Sequence, residues 1–303
     1  MKKFLQQQGV SACLISAVDE FNVKYPCPDQ YLGRIPVPEY RYYGRDVWEK
    51  AISAIVSGEN ILLEGPKASG KNVLADNLCR LFSRPEWNIS FYLNIDSSSL
   101  IGTDTFYDGS VHFRKGPVYS CAEAGGFGVL DEINMAKNES LAVLHAMLDY
   151  RRIIDVPGYD RITLRPESRF IATMNYGYAG TREINEALAS RFCIIEMPVI
   201  SSDNLMLLIK DSFPDINPTY AESFSRLFEE IRLKCEKGEI SSKALDLRGL
   251  LSSLKLIRSG LTAGQALELG IVNKSFDIFE KSLINDVINT RIDTKLTAAE
   301  LFG

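Results

Sequence analysis

A glycine-rich segment constrains the fold of this chain more than any other feature of the sequence. It consists of Gly65-Pro66-Lys67-Ala68-Ser69-Gly70-Lys71-Asn72, fits G-x-x-x-x-G-K, and lies between an apolar run at residues 60–64 and a helical pattern. In that setting the backbone can wrap a phosphate, successive N–H groups form an anion nest at the helix N-terminus, and the lysine adds a positive charge. The segment predicts a phosphate-binding loop; a glycine-rich turn that only caps the helix is the alternative.

Five apolar runs of strand length alternate with helical patterns between residues 43 and 199. They span residues 60–64, 90–95, 127–131, 169–174 and 192–197. Strands that alternate with helices form a parallel sheet covered on both faces. Two further segments, residues 107–113 and 153–164, carry Asp-Gly and Pro-Gly between alternating arms, and we expect β-hairpins there.

Strand patterns end at about residue 201, and the apolar spacing beyond it is helical. The predicted fold class is therefore α/β, a parallel sheet around the phosphate loop followed by a small all-helical lid domain. We expect an N-terminal extension over residues 1–38, the α/β domain over residues 39–200 and the lid over residues 201–303. In the extension, a short amphipathic helix is favoured over an export signal, because Gln6-Gln7-Gln8 stands where a signal is apolar.

The composition excludes several classes of protein. With 46% apolar and 24% charged residues the chain is in the globular range, and a net charge of −5 argues against general nucleic-acid binding. The six cysteines form no C-x-x-C pair and only two histidines are present, so neither a zinc site nor a disulfide framework is indicated. No run reaches the ~18 apolar residues of a membrane span. We expect a cytoplasmic protein without a membrane span.

Polar residues follow the third and fourth apolar runs, and another precedes the fifth. Asp131 and Glu132 end the third, where the first could hold Mg²⁺ and the second could polarise an attacking water. Capping of the next helix is the alternative for this pair. Asn175 ends the fourth run and could bond a γ-phosphate or the lytic water. Arg191 precedes the fifth run, either as an arginine donated to a neighbouring molecule or as a surface salt-bridge partner.

One position departs from the phosphate-loop pattern. The residue after the lysine is ordinarily Ser or Thr, whose hydroxyl binds Mg²⁺, and here it is Asn72. An amide carbonyl is also a hard oxygen ligand, but its longer side chain needs another rotamer to satisfy octahedral geometry. We expect Mg²⁺ to be retained with altered coordination.

Together these features resemble a known family. The matching features, in chain order, are the phosphate loop, Asp131-Glu132, Asn175, Arg191 and a helix with Leu247-Arg248-Gly249, and they resemble the AAA+ ATPases. The stretch from Gly116-Pro117 through Ile133-Asn134 to the second hairpin resembles the MoxR and dynein-related (AAA_5) branch. The resemblance covers about residues 43–257 and gives the first 35 residues or so no counterpart.

The resemblance implies ATP and Mg²⁺ as cofactors, with a role for each matching residue. The nucleotide would be bound by Gly65, Pro66, Lys67, Ala68, Ser69, Gly70, Lys71, Asn72, Asp131 and Arg248, the last as sensor 2. The metal ligands would be Asn72 and Asp131, and the catalytic residues Lys71, Glu132, Asn175 as sensor 1 and Arg191 as arginine finger. Further matches are Arg182 as a second trans arginine, Asn94 at the end of the second strand as a restraint on Glu132, and Tyr42-Tyr43-Gly44 beside the adenine.

The resemblance also implies an assembly. It would be an ATP-hydrolysing homo-oligomeric ring, a hexamer, that remodels or activates a partner protein, in this branch often one with a von Willebrand factor A domain. Phe106 and Tyr107 would face a central pore, with ordinary cross-strand packing as the alternative.

Two other functions stay open: a nucleotide-gated scaffold with little turnover because of Asn72, and a nucleic-acid motor. The basis for the motor is Arg114, Lys115, Arg151 and Arg152 in the hairpins. The residues do not distinguish ATP from GTP.

Overall fold

The structure is a computed structural model that describes residues 1–156, 158–175 and 183–303. The chain divides into two compact units. The first consists of Met1–Pro66 and Lys71–Pro198, and the second of Lys67–Gly70 and Val199–Gly303. In the first, the strands are β1 Ile61–Glu64, β2 Glu86–Ser90, β3 Gly102–Tyr107, β4 Ser110–Lys115, β5 Phe127–Asp131, β6 Ile153–Ile154, β7 Ile162–Thr163, β8 Arg169–Met174 and β9 Cys193–Glu196.

The central sheet has five strands in the order β2-β5-β8-β1-β9, and every neighbouring pair is parallel. In β1, three successive residues, Ile61, Leu62 and Leu63, are at most 1% exposed. Because successive side chains point to opposite faces, both faces of the sheet are covered here. The predicted α/β fold class is confirmed. The carboxyl ends of all five strands therefore lie at one edge of the sheet.

Helices surround this sheet and make up the second unit. The α-helices of the first unit are α1 Lys2–Gln7, α2 Ala12–Lys24, α3 Arg45–Val56, α4 Lys71–Leu81, α5 Ser97–Ile101, α6 Pro117–Ala124, α7 Asn138–Leu141, α8 His145–Leu148 and α9 Glu186–Ala189. Those of the second are α10 Ser202–Ser212, α11 Pro218–Glu236, α12 Leu247–Arg258, α13 Ala263–Gly270, α14 Ile278–Arg291 and α15 Ala298–Phe302. Across the described ranges, no helix has both the length and the apolar composition needed to cross a bilayer.

The second strand lies earlier than the sequence predicted. The expected run was residues 90–95, whereas β2 spans Glu86–Ser90 and pairs with β5 up to Asp131. The apolar alternation continues past the last paired residue, because Trp87, Ile89 and Phe91 are all buried while Tyr92 is 55% exposed. The prediction was wrong because burial continues after the ladder of strand pairing has stopped.

The N-terminal extension packs within the first unit. The ring of Phe21 in α2 lies 5.0 Å from that of Phe82 in an edge-on contact, and Phe4 in α1 meets Tyr43 at 5.1 Å in the same way. The side-chain amide of Asn22 donates to the carbonyl of Leu81 at the end of α4, at 3.1 Å. Apolar burial of these rings stabilises the extension against the α/β core.

The arms of both predicted hairpins pair, and Pro157 in the turn of the second lies outside the described residues. The strands β3 and β4 pair antiparallel around Asp108 (φ 53°) and Gly109 (φ 76°), and positive φ at both central residues is the geometry of a type I′ turn. The strands β6 and β7 pair over only two residues each. The first hairpin is therefore much the longer of the two.

Two glycines set the closest helix contact of the second unit. A Cβ at Gly249 in α12 would lie 2.0 Å from the carbonyl oxygen of Gly270 in α13, and one at Gly270 would lie 2.4 Å from the oxygen of Gly249. Any side chain at either position must push the two backbones apart. Gly249 directly follows Arg248 in the sequence. Its lack of a side chain allows the close packing of α12 against α13.

We expect Gly249→Ala to destabilise the second unit by about 1–3 kcal/mol through overpacking. In an open helix the same change would stabilise by roughly 0.5–1 kcal/mol, so the sign alone tests the contact. Thermal unfolding measures the change in stability, and amide hydrogen exchange over α12 and α13 locates it in the second unit. Gly33→Ala is the matched control, because nothing lies within 4 Å of a Cβ there. A Gly249→Ala protein as stable as Gly33→Ala would contradict the prediction.

Candidate functional site

The glycine-rich segment forms the connection between β1 and α4. The strand ends at Glu64 and the helix begins at Lys71, which is the strand–turn–helix setting that the pattern requires. Ala68 (φ 65°) and Gly70 (φ 79°) have left-handed backbone. Such residues in a turn can direct N–H groups to one side and create an anion-binding concavity. The left-handed conformation costs Ala68 about 1–2 kcal/mol, a local strain of the kind found at binding loops.

The ammonium group of Lys71 is held at the start of the same loop. Its Nζ donates to the carbonyl oxygens of Gly65 at 2.9 Å and Pro66 at 2.8 Å. Burial lowers the pKa of Lys71 from its ordinary 10.5 to about 8, while the carboxylates of Asp131 and Glu132 act in the opposite direction. The lysine and the acid pair thus belong to one electrostatic site. A phosphate beside this ammonium would favour its charged form.

Asn72 occupies the second position of α4 and is partly exposed. A threonine has a similar helix propensity, so exchange at this position changes the side-chain oxygen more than it changes the helix. The amide is the one member of the phosphate loop that departs from the pattern.

The two predicted carboxylates end β5 in different environments. Asp131 is partly buried, and its Oδ1 accepts a hydrogen bond from Thr173 Oγ1 at 2.7 Å. Glu132 is exposed and has left-handed backbone, with φ 55° and ψ 47°. Its backbone N–H donates to the same Thr173 Oγ1 at 3.0 Å. The left-handed turn sends the second carboxylate away from the strand direction that the first one continues.

A set of amide groups joins the end of β8 to the residues after β5. The side-chain amide of Asn175 donates to Glu132 Oε1 at 3.2 Å. Asn134, which is 3% exposed, donates through Nδ2 to the carbonyl oxygen of Asn175 at 2.7 Å. Asn175 therefore has its backbone held by one residue while its side chain contacts the exposed carboxylate.

The structure thus brings together four of the predicted site residues at the carboxyl edge of the sheet. Lys71, Asp131, Glu132 and Asn175 are linked by hydrogen bonds or by charge interactions within the first unit. Phosphate ligands in open α/β sheets bind at this edge. The combination can bind a phosphate, hold a divalent cation through oxygen ligands and position a water near a carboxylate.

Arg191 lies between α9 and β9, where its guanidinium contacts its own chain. The Nε donates to the carbonyl oxygen of His145 at 3.2 Å, and Nη1 donates to that of Ala187. Its Nη2 lies 3.7 Å from Asp149 Oδ2, and the side chain is 23% exposed. The same aspartate forms a closer pair with Arg151 at 2.7 Å, which is the main reason why the pKa of Asp149 is lowered. Substitution of Asp149 can therefore distinguish the salt-bridge role of Arg191 from the role of an arginine donated to a neighbouring molecule.

The remaining predicted residues lie elsewhere or outside the described ranges. Arg248 is exposed in the first turn of α12, in the second unit. Asn94 was expected at the end of the second strand, but it lies in the turn after β2, and the amide that contacts Glu132 is that of Asn175. Arg182 lies outside the residues that the structure describes.

The aromatic residues before α3 are largely buried. Tyr42 is 7% exposed and Tyr43 is 8% exposed. The backbone carbonyl of Tyr42 accepts a hydrogen bond from Trp48 Nε1 at 2.8 Å, and burial strongly raises the pKa of the Tyr42 phenol. Most of the aromatic surface of both tyrosines is therefore already used in packing within the first unit.

Several hairpin residues are also engaged in intrachain contacts. Tyr107 stacks on His112 of the opposite strand, with ring centroids 3.9 Å apart, and Phe106 is 75% exposed. Three of the four basic residues that suggested nucleic acid have partners: Lys115 pairs with Glu123, Arg151 with Asp149, and Arg152 donates to the carbonyls of Arg165 and Ser168. These contacts weaken the basis for a nucleic-acid motor.

The fold and site define a P-loop nucleotide-binding protein with a helical second unit. Comparison with known families finds the AAA domain of the dynein-related subfamily over residues 60–192. The Bacillus subtilis "Uncharacterized protein YojN" is 31% identical over 271 residues, which cover 88% of each chain. The Staphylococcus saprophyticus protein SSP1341 is 33% identical over 82% of this chain and 97% of its own. The chain belongs to this AAA family.

One solved structure also resembles the chain. It comes from Cytophaga hutchinsonii, is provisionally assigned as an ATPase, and covers 97% of this chain and 89% of its own at 17% identity. The TM-score of the comparison is 0.45. Family membership rests on the domain match and on the bacterial relatives.

Sequence reasoning missed two residues of the site, Thr173 and Asn134. Thr173 lies within the fourth apolar run and Asn134 lies between Ile133 and Met135, and they are 1% and 3% exposed. Buried polar side chains need partners, so a threonine inside the strand Arg169–Met174 was a usable signal. Which partner it has could be known only from the sheet order.

Proposed function

We propose that this chain is a Mg²⁺-dependent AAA+ ATPase of the MoxR type, which works as a ring and remodels or activates a partner protein. The observation that carries the proposal is the convergence of Lys71, Asp131, Glu132 and Asn175 at one edge of the sheet. Each side chain has the chemistry that one part of ATP hydrolysis requires.

The residues of the site fit ATP and Mg²⁺. Left-handed backbone at Ala68 and Gly70 suits an anion nest, and a buried ammonium with a lowered pKa would gain from a phosphate. Asp131 and Asn72 supply hard oxygen atoms of the kind that Mg²⁺ prefers, with waters completing its shell. When bound, the metal would neutralise charge on the phosphates.

Each side chain then has one task. Lys71 binds phosphate oxygens, and Asp131 holds the metal. Glu132 orients the attacking water and accepts its proton, while Asn175 holds the carboxylate of Glu132 in position, consistent with their 3.2 Å contact. Arg191 acts on the nucleotide of the next subunit, and Arg248 responds to the nucleotide from the helical unit.

Family membership and Arg191 support the ring, because a trans arginine requires a head-to-tail interface, and a head-to-tail interface whose rotation closes gives a cyclic oligomer. The β3–β4 hairpin supports contact with a polypeptide. Phe106 and Val111 are paired across its strands and are 75% and 61% exposed, so they present an apolar tip. A partner with a von Willebrand factor A domain remains an expectation from the branch.

Steady-state phosphate release by the purified protein tests the proposal. The assay compares ATP with GTP in the presence of Mg²⁺, with Glu132→Gln measured side by side. Turnover by the wild-type protein that Glu132→Gln loses supports the enzyme. Equal rates in the two proteins would contradict it and favour a scaffold that binds nucleotide without using it.

Asn72 favours a second candidate function, a nucleotide-gated scaffold with little turnover. Under the ATPase proposal we expect Asn72→Thr to lower the Mg²⁺ concentration for half-maximal activity by on the order of tenfold, because a hydroxyl suits the octahedral shell better. Titration of Mg²⁺ at saturating ATP measures this, with Asn72→Ala as the control that removes the oxygen. Unchanged Mg²⁺ dependence and turnover in Asn72→Thr would show that this side chain does not touch the metal. A large gain in turnover from a negligible wild-type rate would favour the scaffold.

A further inference from the structure

We infer that Thr173 is a positioning residue that sets both acidic side chains of the site through one hydroxyl group. Its Oγ1 donates to Asp131 Oδ1 at 2.7 Å and accepts from the backbone N–H of Glu132 at 3.0 Å. The inference deepens the proposed function and rests on it where turnover is concerned.

The Thr173 hydroxyl donates one of these bonds and accepts the other. A hydroxyl has one proton to donate, and here it goes to a carboxylate, which makes a charge-assisted bond stronger than a neutral one. The oxygen lone pairs remain to accept the N–H of Glu132. Only a group that both donates and accepts can hydrogen-bond to a carboxylate and to a backbone N–H through the same atom.

The position of the hydroxyl in the sheet shows why these bonds are needed. The backbone pairing of β5 with β8 ends at Leu130 and Ala172, one residue before Asp131 and Thr173. Asp131 still pairs with Ser90 of β2, and its bond to β8 runs through the side chain of Thr173, which also accepts from the N–H of Glu132.

The backbone of Glu132 is the part of the site that most needs this support. Its left-handed conformation, φ 55° and ψ 47°, is disfavoured for a residue with a Cβ and persists only where neighbouring groups hold it. The bond from its N–H to Thr173 Oγ1 is such a restraint. The same bond therefore holds the backbone from which the Glu132 side chain extends to its contact with Asn175.

Burial makes the hydroxyl irreplaceable by solvent. Thr173 is 1% exposed, so water has little access to either partner from this side. Without the hydroxyl, the N–H of Glu132 loses its acceptor and Asp131 loses one donor. Partners of this outer kind typically change metal affinity or activity by 10- to 100-fold when removed.

Thr173→Val tests the inference, because valine keeps the shape and removes the hydroxyl. We expect kcat for ATP to fall about 10- to 100-fold and the half-saturating Mg²⁺ concentration to rise, with little change in nucleotide affinity measured without metal. Thr173→Ser retains the hydroxyl and should restore most of the activity. Thr173→Ala provides a second hydroxyl-free variant if the valine protein does not fold.

A readout without nucleotide separates positioning from turnover. In the nucleotide-free protein, exchange of the Glu132 amide proton should be about tenfold faster in Thr173→Val than in the wild type, and near wild type in Thr173→Ser. Ser253→Ala is the matched control, since it removes a buried hydroxyl that bonds the carbonyls of Gly249 and Ala266 in the second unit. It should change neither the exchange at Glu132 nor the Mg²⁺ dependence.

The outcomes distinguish this inference from the proposed function. Unchanged amide exchange and unchanged Mg²⁺ dependence in Thr173→Val would overturn the positioning role, whatever the turnover. Equal impairment of Thr173→Ser and Thr173→Val would also overturn it, because the hydroxyl would then not be the cause. A wild-type protein that binds Mg²⁺-nucleotide without hydrolysing it would end the ATPase proposal, while faster exchange and weaker metal-dependent binding in Thr173→Val would still support the inference.

Discussion

Arg191→Ala is expected to lower ATP turnover by about 10³-fold or more while leaving nucleotide affinity nearly unchanged. The guanidinium would stabilise charge that develops on the phosphates of the adjacent subunit in the transition state, and it would contribute little to the ground state. Phosphate release gives kcat, and titration with a fluorescent ADP analogue gives the dissociation constant for each protein.

The aspartate beside this arginine provides the control. Asp149→Asn removes the carboxylate that lies 3.7 Å from Arg191 Nη2 but leaves the guanidinium in place. If Arg191 is an arginine finger, Asp149→Asn should keep most of the turnover. Comparable losses in Asp149→Asn and Arg191→Ala would instead indicate that the arginine serves as a salt-bridge partner within its own chain.

Mixed assemblies test whether Arg191 acts between subunits. Arg191→Ala lacks the arginine but has an intact Glu132, and Glu132→Gln has the reverse defect. A mixture should recover measurable activity, because some interfaces then combine an intact arginine with an intact carboxylate. A mixture no more active than the separate variants would count against the trans role.

Glu132→Gln is expected to reduce turnover by about 10²- to 10⁴-fold, since the amide cannot accept the proton of the attacking water. Size and hydrogen bonding to Asn175 are largely kept, so ATP should bind and accumulate unhydrolysed. Single-turnover phosphate release and nucleotide retention on the purified protein measure the two effects. Glu139→Gln in α7 is the matched control, because it neutralises another exposed acid close by in the sequence.

The result of that comparison would be decisive in either direction. A Glu132→Gln protein that hydrolyses ATP as fast as Glu139→Gln would contradict the water-activating role. Loss of nucleotide binding in Glu132→Gln would also contradict it, because Glu132 would then support the site itself rather than the chemical step.

Most residues of the candidate site could be predicted because short patterns along the chain indicate them. The strand–loop–helix order around Gly65–Asn72 and the polar residues after the third and fourth apolar runs are visible in the sequence. Parallel strands bring their carboxyl ends to one edge. The exact end of β2 could not be predicted, since Phe91 is as buried as Trp87 and Ile89 although the pairing with β5 stops at Ser90. Apolar periodicity reports burial, and only pairing determines a strand.

The sequence by itself determined the fold class and the identity of the charged residues, because strand and helix periodicity and the phosphate-loop pattern depend on neighbours along the chain. Tertiary structure alone decided how those residues are held. Thr173 meets Asp131 and Glu132 from 42 and 41 positions away, and Arg191 meets the carbonyl of His145 from 46 positions away. The Thr173 contacts follow from the order of strands in the sheet and the Arg191 contact from the packing of α8, and both are properties of the packed core.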